Sequence, residues 1–221
     1  MAFIDTDFGQ PLIFRTVDEN VFKASIEEGS IWLRSNEYYQ TLENKARQDT
    51  IEGISGTAIE NVIQFKGLRL QTTGNGLVGT KLPFHYIMSL HGVGIRKDIM
   101  EGFGGHTFGI RCLSKLAVEV LYQVSQKIKV HGYSYGQVSY QHTTLSKSRI
   151  KEGQGGILKI GEGDQAESIQ SFDPNCLRKS PEEPFIGQDE WRIVIFSDEI
   201  YKGDLKAPLD INVDPSHFFP I

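Results

Sequence analysis

The chain has 221 residues, a formal net charge of −5 and 39% hydrophobic residues. That length suits one domain over residues 1–221 with enough apolar side chains for a core, and the mild acidity argues against a broad nucleic-acid-binding footprint. No apolar run reaches the roughly 18 residues of a membrane span. The first residues carry neither a basic segment nor a long apolar one, so a cytoplasmic protein without membrane contact is expected.

Residues 11–16 read as a first strand. Asp18 then caps a helix whose apolar stripe is Val21, Phe22, Ala24, Ser25 and Ile26 and which ends at Gly29 in the C′ role. Residues 30–35 form a second strand. Residues 36–53 read as a helix or ordered loop carrying Tyr38, Tyr39, Arg47 and both signs of charge, a common setting for ligand contacts. The stretch 61–94 is strand-rich: Val62, Ile63 and Phe65 form one run, Leu68 and Leu70 another, with a turn at 73–76 and a strand over 84–91. A glycine turn at 102–105 leads into a strand over 106–112.

Ser114 is expected to cap a second helix over 115–127, with Leu116, Val120, Leu121 and Val124 on its apolar face. Residues 133–140 read as a strand bulged at Gly136. Gly153, Gly155, Gly156, Gly161 and Gly163 mark a mobile hairpin or flap, without the strand-before, helix-after context of a phosphate-cradling loop. The tail from Lys206, with Pro208, Pro215 and Pro220, is expected to lie over the surface, pinned by Phe218 and Phe219. Cys112 and Cys176 read as free thiols, Cys112 as core filler in a strand-like segment. The six histidines lack His-x-x-x-His spacing and read as structural or surface residues rather than zinc ligands. Strands outnumber helices, which predicts an α+β fold: a mixed or split β-sheet core with a few flanking helices.

The most informative stretch is residues 187–196, Gly-Gln-Asp-Glu-Trp-Arg-Ile-Val-Ile-Phe, where a Gln-x-Glu triplet precedes a buried strand. In an extended segment Gln188 and Glu190 point to one side, toward a solvent pocket at the rim of a sheet. A carboxylate there is solvated, paired with Arg192 or Arg178, or acting on a ligand.

Two patterns combine. Residues 13–16 (Ile-Phe-Arg-Thr), a helix ending at Gly29 and residues 30–35 (Ser-Ile-Trp-Leu-Arg-Ser) precede residues 86–90, residues 136–140 and the late 185–192 segment with its Glu-x-Arg. This order resembles a bacterial family known only as a domain of unknown function, and through it the mono-ADP-ribosyltransferases, including their DNA-modifying toxin branch or a divergent relative. The resemblance implies an ADP-ribosyltransferase-like fold that binds NAD and transfers ADP-ribose to a macromolecular acceptor, protein or nucleic acid. A toxin or anti-phage defence effector with a possible neutralising partner protein would fit. It implies Glu190 as the catalytic carboxylate on the nicotinamide ribose and Gln188 as the acceptor contact. Arg15 would act in catalysis and in holding NAD, with Arg34, Ser35, Tyr38, Tyr39 and Arg47 as further cofactor-facing residues. The chain departs from the Arg-Ser-Glu subgroup, because neither residues 132–135 nor residues 142–144 supply its Ser-Thr-Ser strand.

The chemistry suits those residue types. A carboxylate stabilises the positive charge that develops on a ribose as its glycosidic bond breaks. Arginine binds pyrophosphate in pairs of hydrogen bonds, and tyrosine stacks on a base while its hydroxyl stays wet. Each residue also has a plainer role: Glu190 with Arg192 as a surface ion pair, Arg15 as a rim residue, the aromatics as packing. NAD hydrolysis, with water as acceptor, and a binding or assembly module that kept the fold without activity are the other readings.

Overall fold

Strand β1 (Ile13–Val17), helix α1 (Glu19–Glu28) and strand β2 (Ser30–Ser35) form a unit bounded by the predicted signals. The Asp18 carboxylate accepts from the Val21 backbone N–H at 3.0 Å, and Gly29 closes the helix at φ 67°. A Cβ on Gly29 would lie 1.8 Å from the Val213 carbonyl oxygen, so the position requires glycine for space as well as for backbone angle. The computed structural model of the chain describes residues 9–40, 54–59, 62–65, 68–71, 76–140, 143–145, 176–177, 179 and 185–221. After β2 come α2 (Asn36–Gln40), β3 (Ile54–Ile59), β4 (Val62–Phe65), β5 (Leu68–Gln71), β6 (Gly76–Lys81), β7 (His85–His91), α3 (Lys97–Gly102) and β8 (His106–Ile110). Helix α4 (Leu113–Ser125), β9 (Gly132–Gln137), β10 (Thr143–Leu145), β11 (Glu190–Phe196), β12 (Leu209–Asn212) and β13 (Phe218–Pro220) complete the order. The molecule is thus α+β, with an antiparallel eight-stranded main sheet and few helices. Two smaller sheets are β10-β3-β6, which contains a parallel pair, and β4-β5. Among the described residues no helix is long and apolar enough to cross a membrane.

The main sheet forks at β7. Strand β11 pairs with β7 along its whole length, from Phe196 opposite His85 to Glu190 opposite His91. A strand has two edges, so β1 and β2 must share the other one. Strand β2 takes Tyr86 and Ile87, whereas β1 takes His91 alone. Among the described residues nothing bridges Met88, Ser89 and Leu90 on that edge. Beyond the fork, β2 continues to β12, and β1 to β8 and β13.

One face of this sheet carries the core. Met88, Leu90, Ile193 and Ile195 pack with Leu116, Val120 and Val124 of α4, and Phe22 and Ile26 of α1 join them. Strand alternation sends Ser89 and His91 of β7, and Glu190 and Arg192 of β11, to the opposite face. Cys176 and Leu177 pack with Val194 and Leu82 on that second face.

Several expectations are corrected. The tail does not lie over the surface, although Phe218 and Phe219 do pin it. Leu209 and Ile211 of β12 and Val213 just after it alternate inward and Phe218 and Phe219 are buried in β13, so the tail supplies two outer strands, and Pro220 is tolerated at a sheet edge. Helix α4 begins at Leu113, with Cys112 rather than Ser114 at its cap position and no side-chain cap. Cys112 and Cys176 are buried free thiols. Strand β9 pairs with β11 in continuous register through Gly136, without a bulge, and ends at Gln137. Helix α3 was not expected, because its one buried side chain, Ile99, leaves no periodic apolar stripe. The glycine flap lies outside the described residues.

Candidate active site

The fork opens a cavity of about 300 Å³. Arg15 and Thr16 reach it from β1, Trp32 and Arg34 from β2, Tyr38 and Tyr39 from α2, Ser89 and His91 from β7, and Glu190 and Arg192 from β11. Asp18, Gln188 and Lys179 add to the polar wall. Where backbone pairing between β1 and β2 is missing, the Arg15 guanidinium spans the gap, donating from Nη2 to the Trp32 carbonyl at 3.2 Å.

Glu190 is the electrostatic centre. It is 4% exposed, and its partner Arg192 only 1%. Oε1 accepts from Arg192 Nε at 2.7 Å and from Ser89 Oγ at 3.1 Å. Oε2 lies 2.9 Å from Lys179 Nζ and accepts from Arg192 Nη2 at 3.3 Å. A carboxylate offers about four lone-pair sites, and these contacts fill them. Burial pushes the carboxyl up, but Arg192 and Lys179 outweigh it and hold Glu190 down at about 2. The charge is therefore permanent at neutral pH.

Around this pair the hydrogen bonds have forced directions. Ser89 donates to Glu190, so it accepts from the Tyr39 hydroxyl bonded to it. Tyr140 accepts from the Glu190 backbone N–H at 3.0 Å, and burial followed by the Glu190 charge pushes its phenol well up. Lys179 also sits over the Phe185 ring, 4.6 Å from its centre. Arg192 Nη1 donates to the Cys176 carbonyl at 2.9 Å, tying Cys176 to β11.

The mouth is cationic and aromatic. The Arg34 guanidinium lies 4.4 Å from the Tyr38 ring centre and 5.7 Å from that of Trp32, and donates to the Lys206 carbonyl at 2.7 Å. Trp32 is 41% exposed at this mouth.

The structure brings Arg15, Arg34, Tyr38, Tyr39, Gln188 and Glu190 to one cavity. Ser35 is not among its lining residues. Its buried hydroxyl donates to the Leu205 carbonyl and accepts from the Tyr38 backbone N–H, so it holds α2 in place. Arg47 lies outside the described residues. The route by which Gln188 and Glu190 reach the site also differs from the extended reading. Gln188 ends a 3-10 turn (Phe185–Gln188), and Asp189 takes φ 44°. Its carboxylate accepts from Gly94 N–H at 2.8 Å and its carbonyl from Gly92 N–H, which fixes that turn. The Glu190–Arg192 pair is buried on a central strand, not on an exposed rim.

Sequence reasoning missed Ser89, His91 and Lys179. The signal for the first two was present: polar side chains two apart in an apolar run share a face, and they match Glu190-x-Arg192 across the ladder, Glu190 opposite His91 and Arg192 opposite Ser89. Lys179 had no signal, since no local pattern in the sequence ties it to β11. Comparison of the chain with protein-family models, with curated proteins and with solved structures gives no match.

Proposed function

We propose that the fork cavity binds NAD and that the protein transfers ADP-ribose from it to a macromolecular acceptor. The observation that carries this reading is the meeting of Arg15 and Glu190, from near opposite ends of the chain, in one cavity that also holds Arg34 and the aromatic side chains of Trp32, Tyr38, Tyr39 and Phe103. The donor set fits the ligand. Fixed guanidinium groups match phosphate oxygens, and Trp32 and Tyr38 offer ring faces to a base. A cavity of about 300 Å³ is at the small end for ligand sites (roughly 300–1,000 Å³), so it encloses one nucleotide half and leaves the other along the Trp32–Arg34 mouth.

Bound NAD supplies an ADP-ribosyl group on loss of nicotinamide. Glu190, permanently ionised, opposes the positive charge on the ribose. A ribose hydroxyl reaches it by replacing its longer contacts, Ser89 at 3.1 Å or Arg192 Nη2 at 3.3 Å. Arg15 and Arg34 orient the phosphates, and Gln188 faces the acceptor.

One observation favours a second reading. The filled acceptor sites of Glu190 would suit a module that holds a nucleotide without turning it over. Calorimetry with NAD, followed by labelled NAD in cell lysate, separates the two. Label on polymer, lost in Glu190→Gln with NAD affinity retained, supports the transferase. Binding without turnover supports the module, free ADP-ribose alone a hydrolase, and no binding removes NAD from the cavity. Growth arrest on expression, relieved by the same substitution, would place the transferase among toxins or defence effectors.

A further inference from the structure

His91 is buried, lines the cavity and stands directly across the ladder from Glu190. Its hydrogen bonds fix its protonation pattern. Nδ1 lies 2.9 Å from the Gly92 carbonyl, which can only accept, so Nδ1 carries the proton. In the neutral ring Nε2 is then an acceptor, and the Thr16 hydroxyl 2.8 Å away donates to it. With its proton committed, Thr16 accepts from Thr107 at 2.8 Å. One direction follows: Thr107 to Thr16 to His91. A hydroxyl has two lone pairs, so Thr16, which also lines the cavity, keeps one acceptor position. A base, a hydroxyl in hydrogen-bond reach and a third group orienting the base form the arrangement that activates nucleophiles.

We propose that Thr16 and His91 form the proton relay of the transfer reaction and that its acceptor is a neutral hydroxyl. This rests on the transferase reading above. The acceptor hydroxyl gives its proton to Thr16 Oγ1 as Thr16 passes its own to His91 Nε2. The acceptor oxygen bonds to the ribose C1′, the C1′–nicotinamide bond breaks, and nicotinamide leaves neutral with the electron pair. The proton ends on His91 and returns to solvent. Burial holds the imidazole below its usual range, so the base form is present at neutral pH, and the Asp189 charge favours the imidazolium once formed. A carboxylate acceptor carries no proton and would leave this relay without a task.

The experiment measures NAD affinity and single-turnover label transfer at saturating NAD for the full chain and for Thr16→Val, Thr16→Ser and His91→Gln. A general base contributes about 10²–10⁴-fold. Thr16→Val and His91→Gln should therefore slow transfer by about a hundredfold or more, with the NAD dissociation constant within about threefold, while Thr16→Ser retains the rate. The wild-type product should resist neutral hydroxylamine, as an O-glycoside does. Full transfer by Thr16→Val, loss of NAD binding in it, or release of label by hydroxylamine overturns the relay and leaves the transferase standing. NAD bound but never turned over by the wild-type chain overturns the transferase reading, and the relay falls with it.

Discussion

The two faces of the β7–β11 ribbon are built from the same strands and both are largely buried, yet their chemistry is opposite. Met88, Leu90, Ile193 and Ile195 on one face pack with apolar side chains of α1, α4 and neighbouring strands. Buried His91, Glu190 and Arg192 and half-buried Ser89 on the other are polar groups satisfied by one another, by Tyr39, Thr16 and Lys179, and by backbone carbonyls. The apolar face gains about 25 cal/mol for each Å² removed from water. The polar face gains little, because desolvating two charges offsets most of their attraction. A well-packed apolar pair would hold the strands as firmly. The difference teaches where stability resides in one pair of strands and where a costly charged arrangement stands beside a cavity, the setting in which functional groups concentrate.

The largest effect should come from breaking the polar face by one partner only. Arg192→Met leaves Glu190 buried against a thioether and should cost roughly 3–5 kcal/mol, read from the urea midpoint. The triple variant Glu190→Gln/Arg192→Met/Lys179→Met should recover more than half of that loss, since neither the carboxylate nor the two buried cations that face it then remain. Equal losses in the two would mean that the ion pair is not the source of the effect.

Ile193→Ala, one residue along the same strand, tests the opposite face. It should cost about 2–5 kcal/mol through the cavity it leaves, and ligand affinity should stay within about twofold because the side chain points away from the fork. A tenfold loss of affinity would show that the two faces are not separable.

The faces should also differ in response to acid. The Glu190 carboxyl is held at about 2 against an ordinary 4.5. A depressed carboxyl contributes stability that is present above 4.5 and lost as pH falls toward 2, on the order of 3 kcal/mol. His91 has the opposite origin and the same sign. Burial holds it below 6.5, so the unfolded chain takes up its proton first as pH falls below that value, and stability drops. Urea midpoints from pH 7 to 3 should decline, and Glu190→Gln should flatten the part below 4.5. An unchanged slope there would mean that other carboxylates dominate.

The sequence carried the local parts of this picture better than the pairings. Asp18, the helical stripe and Gly29 bound α1 because caps act within a few residues. The fork was not legible, because nothing in β1 or β2 says that both lean on one edge of β7. That is decided by the seven-residue pairing of β11 on the other edge. The tail misled for a related reason: Pro208, Pro215 and Pro220 stand around Leu209-x-Ile211-x-Val213 and hide a strand whose partner, β2, lies far back in the sequence. Within the site, residue types at Arg15 and Glu190 pointed to a charged cavity. Ser35 failed because alternation turns it from the fork into a hydroxyl cap for α2. Gln188 reached the cavity through the left-handed turn at Asp189 rather than along a strand.

The smallest effect sharpens the comparison where stability and binding meet in one side chain. Asp18 caps α1 through the Val21 N–H, and it lines the cavity as an acid among Arg15, Arg34, Lys179 and Arg192. These roles can be separated. Asp18→Asn keeps a good cap and removes the charge, so the urea midpoint should hold while NAD binds about twofold tighter, an exposed-charge effect that salt should erase. Asp18→Ala removes both and should cost about 1 kcal/mol with the same gain in affinity. If both variants bound NAD more weakly, Asp18 would be a ligand contact, and the anion would have to sit deeper in the fork, between Arg15 and Lys179.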